Sequence, residues 1–189
     1  MKRTRTFIAL DPGKAIRDRL VSLQENLGKA GADVKWVEPD NLHLTLLFLG
    51  EVDQRELAPV CKAVAEVVAQ HAGFPLSIEQ AGAFPNARRP RTLWVGVGTG
   101  AQEVTALHGA LERPLLELGC YRREERAYSP HLTVGRVKAD HPADDLTKAL
   151  AKYATWSAGE TIIREVHVMG SELTPKGPVY TVLSRAALK

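Results

Sequence analysis

The chain has 189 residues, 44% of them hydrophobic and 25% charged, with a formal net charge of +3. That length supports one domain with a sizeable core and needs no metal or disulfide staple, and the composition carries no signature of disorder. The modest positive charge permits an anionic partner without demanding one. Two cysteines, Cys61 and Cys120, give no disulfide framework and fit a reducing compartment. The apolar run Phe7 to Leu10 is cut off by Asp11 and Pro12. It is too short for a signal-peptide core or a membrane span, so the expectation is a cytoplasmic protein without membrane contact.

Arg5 to Leu10 reads as a strand, after which Asp11 is a plausible N-cap with Pro12 at the first helical position. Ile16, Leu20, Leu23 and Leu27 recur at helical spacing up to a stop at Gly28 and Gly31. Val34 to Val37 reads as a short strand, Pro39 to Asn41 as a turn, and His43 to Leu49 as an apolar strand. Asp53 with Glu56 suggests a capping box for a helix buried through Leu57, Val60, Val64, Val67 and Val68. Phe74 to Ile78 is extended, Ala81 to Pro90 is a Gly/Pro-rich connection, and Thr92 to Val97 is a strand. Thr99 with Gln102 could cap a helix through Leu107 and Leu111, which Pro114 should kink, end or restart. Tyr128 to Val137 is then a strand, Ala143 to Leu150 a weak helix, and Ile162 to Met169 and Val179 to Leu183 two closing strands around a Pro175 to Pro178 turn. This succession is α+β rather than an all-parallel sheet.

One local unit occurs twice, as Leu42-His43-Leu44-Thr45-Leu46 and as Pro130-His131-Leu132-Thr133-Val134. In a strand, side chains alternate faces, so each histidine shares a face with its threonine while the flanking apolar residues point to the core. If the two strands meet, two imidazoles and two hydroxyls converge on one space. One imidazole can then take a proton from an attacking oxygen while the other gives one to a departing oxygen. The hydroxyls can donate hydrogen bonds to non-bridging phosphate oxygens. A metal site competes for the same histidines, but neither HExxH nor a cysteine knuckle adjoins them and threonine is a poor zinc ligand. The sequence also has no GxSxG elbow, and Gly96-Val97-Gly98-Thr99-Gly100 matches neither a P-loop nor a dinucleotide fingerprint.

Two arginine clusters could attract a phosphate backbone: Arg88, Arg89 and Arg91 around Pro90, and Arg122, Arg123 and Arg126 upstream of His131. The other histidines, His71, His108, His141 and His167, lack the hydroxyl partner of the repeated unit, and a structural or surface role is expected for them.

The segments His43-Leu44-Thr45-Leu46 and His131-Leu132-Thr133-Val134 resemble the paired HxTx motifs of the 2H phosphoesterase superfamily. With Asn41 through Gly50, Arg91 through Trp94, Arg126 through His131 and Val168 through Leu173, the whole chain is similar to the RNA 2',3'-cyclic phosphodiesterases, historically called 2'-5' RNA ligases. The resemblance implies a single bilobal domain over residues 1–189, with one HxTx motif per lobe and two antiparallel sheets around a central groove, helices outside. It implies opening of RNA 2',3'-cyclic phosphate ends to 2'-phosphomonoesters without a metal or nucleotide cofactor, together with ATP-independent 2'-5' joining of tRNA halves. His43 would be the general acid toward the 3'-oxygen and His131 the general base, while Thr45, Thr133 and Arg126 would hold the phosphate. Phe48 is a candidate aromatic wall for a terminal base, although alternation puts it opposite His43 unless a bulge intervenes. Two rival readings stand beside this one: hydrolysis of a small cyclic nucleotide phosphate such as ADP-ribose 1'',2''-cyclic phosphate, and a non-catalytic RNA-binding module. The expected partner is an RNA end, with no obligate protein partner and a monomeric state.

Overall fold

Apolar alternation makes strands of most of this chain, and the computed structural model, which describes residues 2–123, 125–138, 144–175 and 177–189, joins them into one sheet. Among the described residues the elements are β1 (Arg3–Leu10), α1 (Lys14–Gly28), β2 (Val34–Trp36), a 3-10 turn at Pro39–Asn41, β3 (Leu44–Asp53), α2 (Leu57–Val68), β4 (Phe74–Phe84), β5 (Thr92–Val97), α3 (Ala101–Glu117), β6 (His131–Val137), α4 (Asp144–Ala151), β7 (Ser157–Ile163), β8 (Glu165–Thr174) and β9 (Gly177–Ala187). The strands pair antiparallel in the order β7-β4-β5-β6-β3-β1-β8-β9, with β2 added beside β6. This is the α+β architecture expected, its strands joined as two arms of one sheet.

The arms meet at β3 and β6 through one register pair, Leu44 with Leu132, both fully buried. Apolar side chains on the convex face form the core with the helices. α2 lies on β8 and β9 and α3 on β3, while α1 covers β6 and β7 and α4 covers β4. Each arm is therefore roofed in part by a helix that follows a strand of the other arm.

Several boundaries differ from expectation for local reasons. α1 begins after Gly13, because the Asp11 carboxylate accepts from the Gly13 N–H and from Arg17 instead of capping the first turn. The Asp53–Glu56 capping box does not form: Asp53 accepts from the backbone N–H and side chain of Arg55, and α2 starts one turn later. β4 continues through Ala81–Phe84, where glycine and proline content predicts a loop, with Gln80 in the left-handed region where the strand bulges. α3 starts at Ala101 after a left-handed Gly100, with no side-chain cap from Thr99, and runs through Pro114 to Glu117. Three closing strands are present instead of two, and β6 starts only at His131, since Tyr128 to Pro130 lead into it without pairing. His141 and Ala143 fall outside the described residues. Both cysteines are free thiols.

Two bulges decide which residues face the concave side. Along β3, Ile8 pairs with Leu47 and Ala9 with Thr45, so Leu46 is an extra residue, and Leu46 and Leu47 are both buried. Along β6, Leu93 pairs with Gly135 and Trp94 with Thr133, leaving Val134 extra. Each extra residue reverses the facing of the residues after it. Phe48 and Arg136 thereby join the face that carries the motif histidines. The second bulge is pinned from the core: the buried Gln24 of α1 donates from Nε2 to the carbonyls of both Val37 and Val134, each at 2.8 Å. Gly135 is required beside it, because a Cβ there would lie 2.7 Å from Val34 and 2.8 Å from Trp36.

Replacing Gln24 by leucine should cost about 1–3 kcal/mol in urea unfolding, the penalty of a buried carbonyl left without its donor. An unchanged unfolding midpoint would show that the bulge does not depend on this side chain.

Candidate functional site

The pairing of Leu44 with Leu132 puts those two side chains into the core, so His43 and Thr45 on one arm and His131 and Thr133 on the other project to the concave face. His43 sits immediately before β3 and His131 opens β6. The structure thus brings together the four motif side chains anticipated from the repeat.

Each imidazole is oriented in the same way. His43 Nδ1 lies 2.7 Å from the Asn41 carbonyl and His131 Nδ1 lies 2.7 Å from the Ser129 carbonyl. A carbonyl only accepts, so the proton of each neutral ring resides on Nδ1 and Nε2 is left as the nitrogen that exchanges protons. In His43, Nε2 is 2.9 Å from the Thr45 hydroxyl. Burial pushes the His43 pKa below its ordinary value, and the hydrogen bond to Asn41 only partly opposes this.

Both rings are boxed by aromatics in parallel arrangements. Phe7 of β1 lies 4.8 Å from the His43 ring and Tyr180 of β9 meets it edge-on at 5.3 Å. On the other arm, Phe84 of β4 meets His131 edge-on at 5.2 Å, and Trp94 of β5 lies at 6.4 Å. Tyr180 and Phe84 belong to the outer parts of their arms, so these contacts require both ends of the sheet to curl over the concave face. Asn41 ties one curl down, its side chain donating to the Pro178 carbonyl at 2.8 Å. Consistent with that closeness, the charges of Arg5 and Arg136 both act on the Tyr180 hydroxyl, lowering a pKa that burial raises more strongly.

Phe48 stands on the site's face by virtue of the β3 bulge, 5.9 Å from Phe7 and 51% exposed. Arg126 lies in the exposed segment before β6, and among the described residues no partner fixes its side chain. The cation that does share a face with His131 and Thr133 is Arg136, which sequence reasoning did not single out. Its signal was there: Gly135 interrupts an otherwise alternating strand, and an isolated glycine in a strand marks a bulge. The segment before β6 is held instead through Tyr128, whose hydroxyl donates to the Thr45 carbonyl at 2.8 Å and whose burial raises its pKa. His108 stacks on Tyr128 at 4.0 Å and bonds the Leu46 carbonyl, and His167 is buried against Glu165. Among the described residues, no cluster of three or more His, Cys, Asp or Glu side chains is placed to hold a metal ion, and no helix is long and apolar enough to cross a membrane.

Comparison with known proteins agrees with this geometry. The family model for LigT-like phosphoesterases matches the chain twice, over residues 10–94 and 95–180, one match for each HxTx motif. The RNA 2',3'-cyclic phosphodiesterase of Methanothermobacter thermautotrophicus is 38% identical over 95% of this chain and 96% of its own length. That of Archaeoglobus fulgidus is 40% identical over 93% and 96%. A solved structure from Thermus thermophilus superposes with a TM-score of 0.82 at 29% identity, covering 97% of both chains. The chain belongs to the LigT-like RNA 2',3'-cyclic phosphodiesterase family of the 2H phosphoesterase superfamily.

Proposed function

We propose that the protein hydrolyses 2',3'-cyclic phosphate ends of RNA to 2'-phosphomonoesters. The observation that carries this reading is the pair of imidazoles, each with Nδ1 on a backbone carbonyl and each beside a threonine on one concave face. Phosphodiester opening needs a proton removed from the attacking oxygen and one delivered to the leaving oxygen on the opposite side of phosphorus. His131 Nε2 takes the proton from water, the water oxygen bonds to phosphorus, the bond to the 3'-oxygen breaks, and His43 Nε2 protonates that oxygen. The hydroxyls of Thr45 and Thr133 donate to the non-bridging oxygens as their charge grows. These side chains supply proton transfer and charge stabilisation, a metal-independent route.

Arg136 is a cation for the phosphate beside the Arg126 that the family resemblance implies, because the β6 bulge aims it onto the face of His131 and Thr133. The exposed Phe48 ring stacks the terminal base. Stacking accepts any base, so the site reads the chemistry of an RNA end, such as that of a cleaved tRNA, more than its sequence.

Purified protein in EDTA should convert a cyclic-phosphate-ended oligonucleotide to its 2'-phosphate form. His43→Ala and His131→Ala should each lower kcat/KM by at least about a hundredfold, and Arg136→Ala by roughly tenfold or more through a lost charged contact. Retention of full activity in both histidine variants would refute the reading. The lowered pKa of His43 also has a stability consequence. Its unfolded form binds a proton near the ordinary value of 6.5 while the folded form resists it, so stability is full above that value and declines as pH falls through it. Thermal melts between pH 7.5 and pH 5 should therefore show a shallower decline in Tm for His43→Gln than for the parent protein, and equal slopes would contradict the desolvation argument.

A further inference from the structure

Beyond Phe7 and Phe48, the concave face of the His43 arm carries a row of hydrogen-bond donors that chemistry at the terminal phosphate does not use. The extra residues of the β1–β3 pair all lie on β3, so alternation along β1 is unbroken. Arg5 therefore faces the same side as Phe7 and Ala9, while Thr6 and Ile8 between them are fully buried in the core. Arg5 is in register with Ser171 of β8, and Ser171 with Tyr180 of β9. These side chains stand in one row across three strands, and the row borders the groove, because the Tyr180 ring meets that of His43 edge-on.

The row consists of donors without acceptors. Arg5 is exposed and, among the described residues, makes no ion pair, even with Glu51, its register partner on β3. Nor does any described residue hydrogen-bond the hydroxyl of Ser171 or of Tyr180. The charge of Arg5 reaches the Tyr180 hydroxyl together with that of Arg136, so the row and the phosphate site share one positive field. A groove lined by charge of one sign draws in the opposite charge, and a guanidinium beside hydroxyls suits a phosphate oxygen pair.

The position of the row says which phosphate it meets. Along β1, Ala9 is level with Thr45, Phe7 is level with Phe48, and Arg5 lies one step further. The order along the groove is thus reacting phosphate, base platform, cation. Four residues of strand separate the first from the last, about 13 Å, a span that one nucleoside and the reach of an arginine side chain fill together. A nucleoside with its 3' side at the histidines and its base on Phe48 has its 5'-oxygen as the way out of the site. In a mononucleotide that oxygen is a neutral hydroxyl. In an RNA strand it carries the next phosphodiester and a full negative charge.

We infer that Arg5, with the hydroxyls of Ser171 and Tyr180, forms a subsite for the internucleotide phosphate on the 5' side of the terminal nucleotide. Arg5 is then the residue by which the protein prefers an RNA end to a free nucleoside cyclic phosphate. This rests on the hydrolytic reading of the adjoining site and names the substrate feature that site reads. The subsite binds only, and no bond forms or breaks in it.

The test compares kcat/KM on three substrates that end in a 2',3'-cyclic phosphate: adenosine 2',3'-cyclic phosphate, an adenosine dinucleotide with its natural phosphodiester, and the same dinucleotide with an uncharged methylphosphonate linkage. The parent protein should favour the phosphodiester dinucleotide over the methylphosphonate by about tenfold or more, the scale of a hydrogen bond to a charged group, chiefly through KM. Arg5→Ala should bring that ratio close to one. Arg5→Lys, which keeps the charge and loses the planar fork, should retain part of it. A merely structural role for Arg5 would slow all three substrates by the same factor and leave the ratio intact, and that result overturns the inference. So does a parent protein that hydrolyses both dinucleotides equally well. Failure of the parent protein to open any of the three would instead remove the hydrolytic reading and this inference with it.

Discussion

The site depends on a very short seam. β3 and β6 share a single register pair, Leu44 with Leu132, yet this pair fixes everything chemical about the groove. Because both leucines are driven into the core, the residues on either side of them must point the other way. Two histidines far apart in sequence are thereby placed on neighbouring strands of one surface. Beyond that pair the strands part, β3 continuing against β1 and β6 against β5, and the divergence opens the groove. A longer ladder would hold the motif strands flat together. Hydrophobic burial, rather than any polar contact between the motifs, sets their relation.

Within this frame the two halves are alike in orientation and unlike in environment. Backbone carbonyls select the same tautomer in both histidines, which costs no ionisable partner and places no competing charge beside the phosphate. His43 is enclosed by Phe7 and Tyr180, and that enclosure favours its neutral form. In the proposed mechanism a bound phosphate anion offsets this by favouring the imidazolium, so the proton meant for the leaving oxygen is held most strongly with substrate in place. The positions after the bulges differ as well. The first arm presents Phe48 and the second presents Arg136, so a nearly symmetric scaffold offers a ring on one side and a cation on the other.

Much of this was legible in the sequence because it follows from alternation. The His-x-Thr spacing by itself sets a shared face, and the leucines and valines between supply the core. The site residues that alternation alone misplaces lie after bulges. Strict alternation puts Phe48 opposite His43, and only the buried pair Leu46-Leu47 hints that the register slips. Arg136 is hidden by Val134 and Gly135 in the same way. Gln24 was not distinguishable from a surface position on its helix, since its value lies in two carbonyls more than ten residues away. The strand through Ala81–Phe84 was masked by glycine and proline, whose local preferences yielded to pairing with β5. Helix caps failed for a related reason: Asp11 and Asp53 found arginine partners close by.

The crossed roofing of the sheet has a consequence for how such a duplicated molecule can change. α1 leaves β1 but covers β6 and β7, and α3 leaves β5 but covers β3. The halves are interlocked, each supplying the other's hydrophobic cover, so neither could be excised, exchanged or lost as a module without baring the partner's core. For the same reason the seam cannot act as a free hinge, because swinging one arm would drag its borrowed helix across the other. Adaptation to new substrates is left to the parts outside the lock, the hairpin ends and loops that rim the groove.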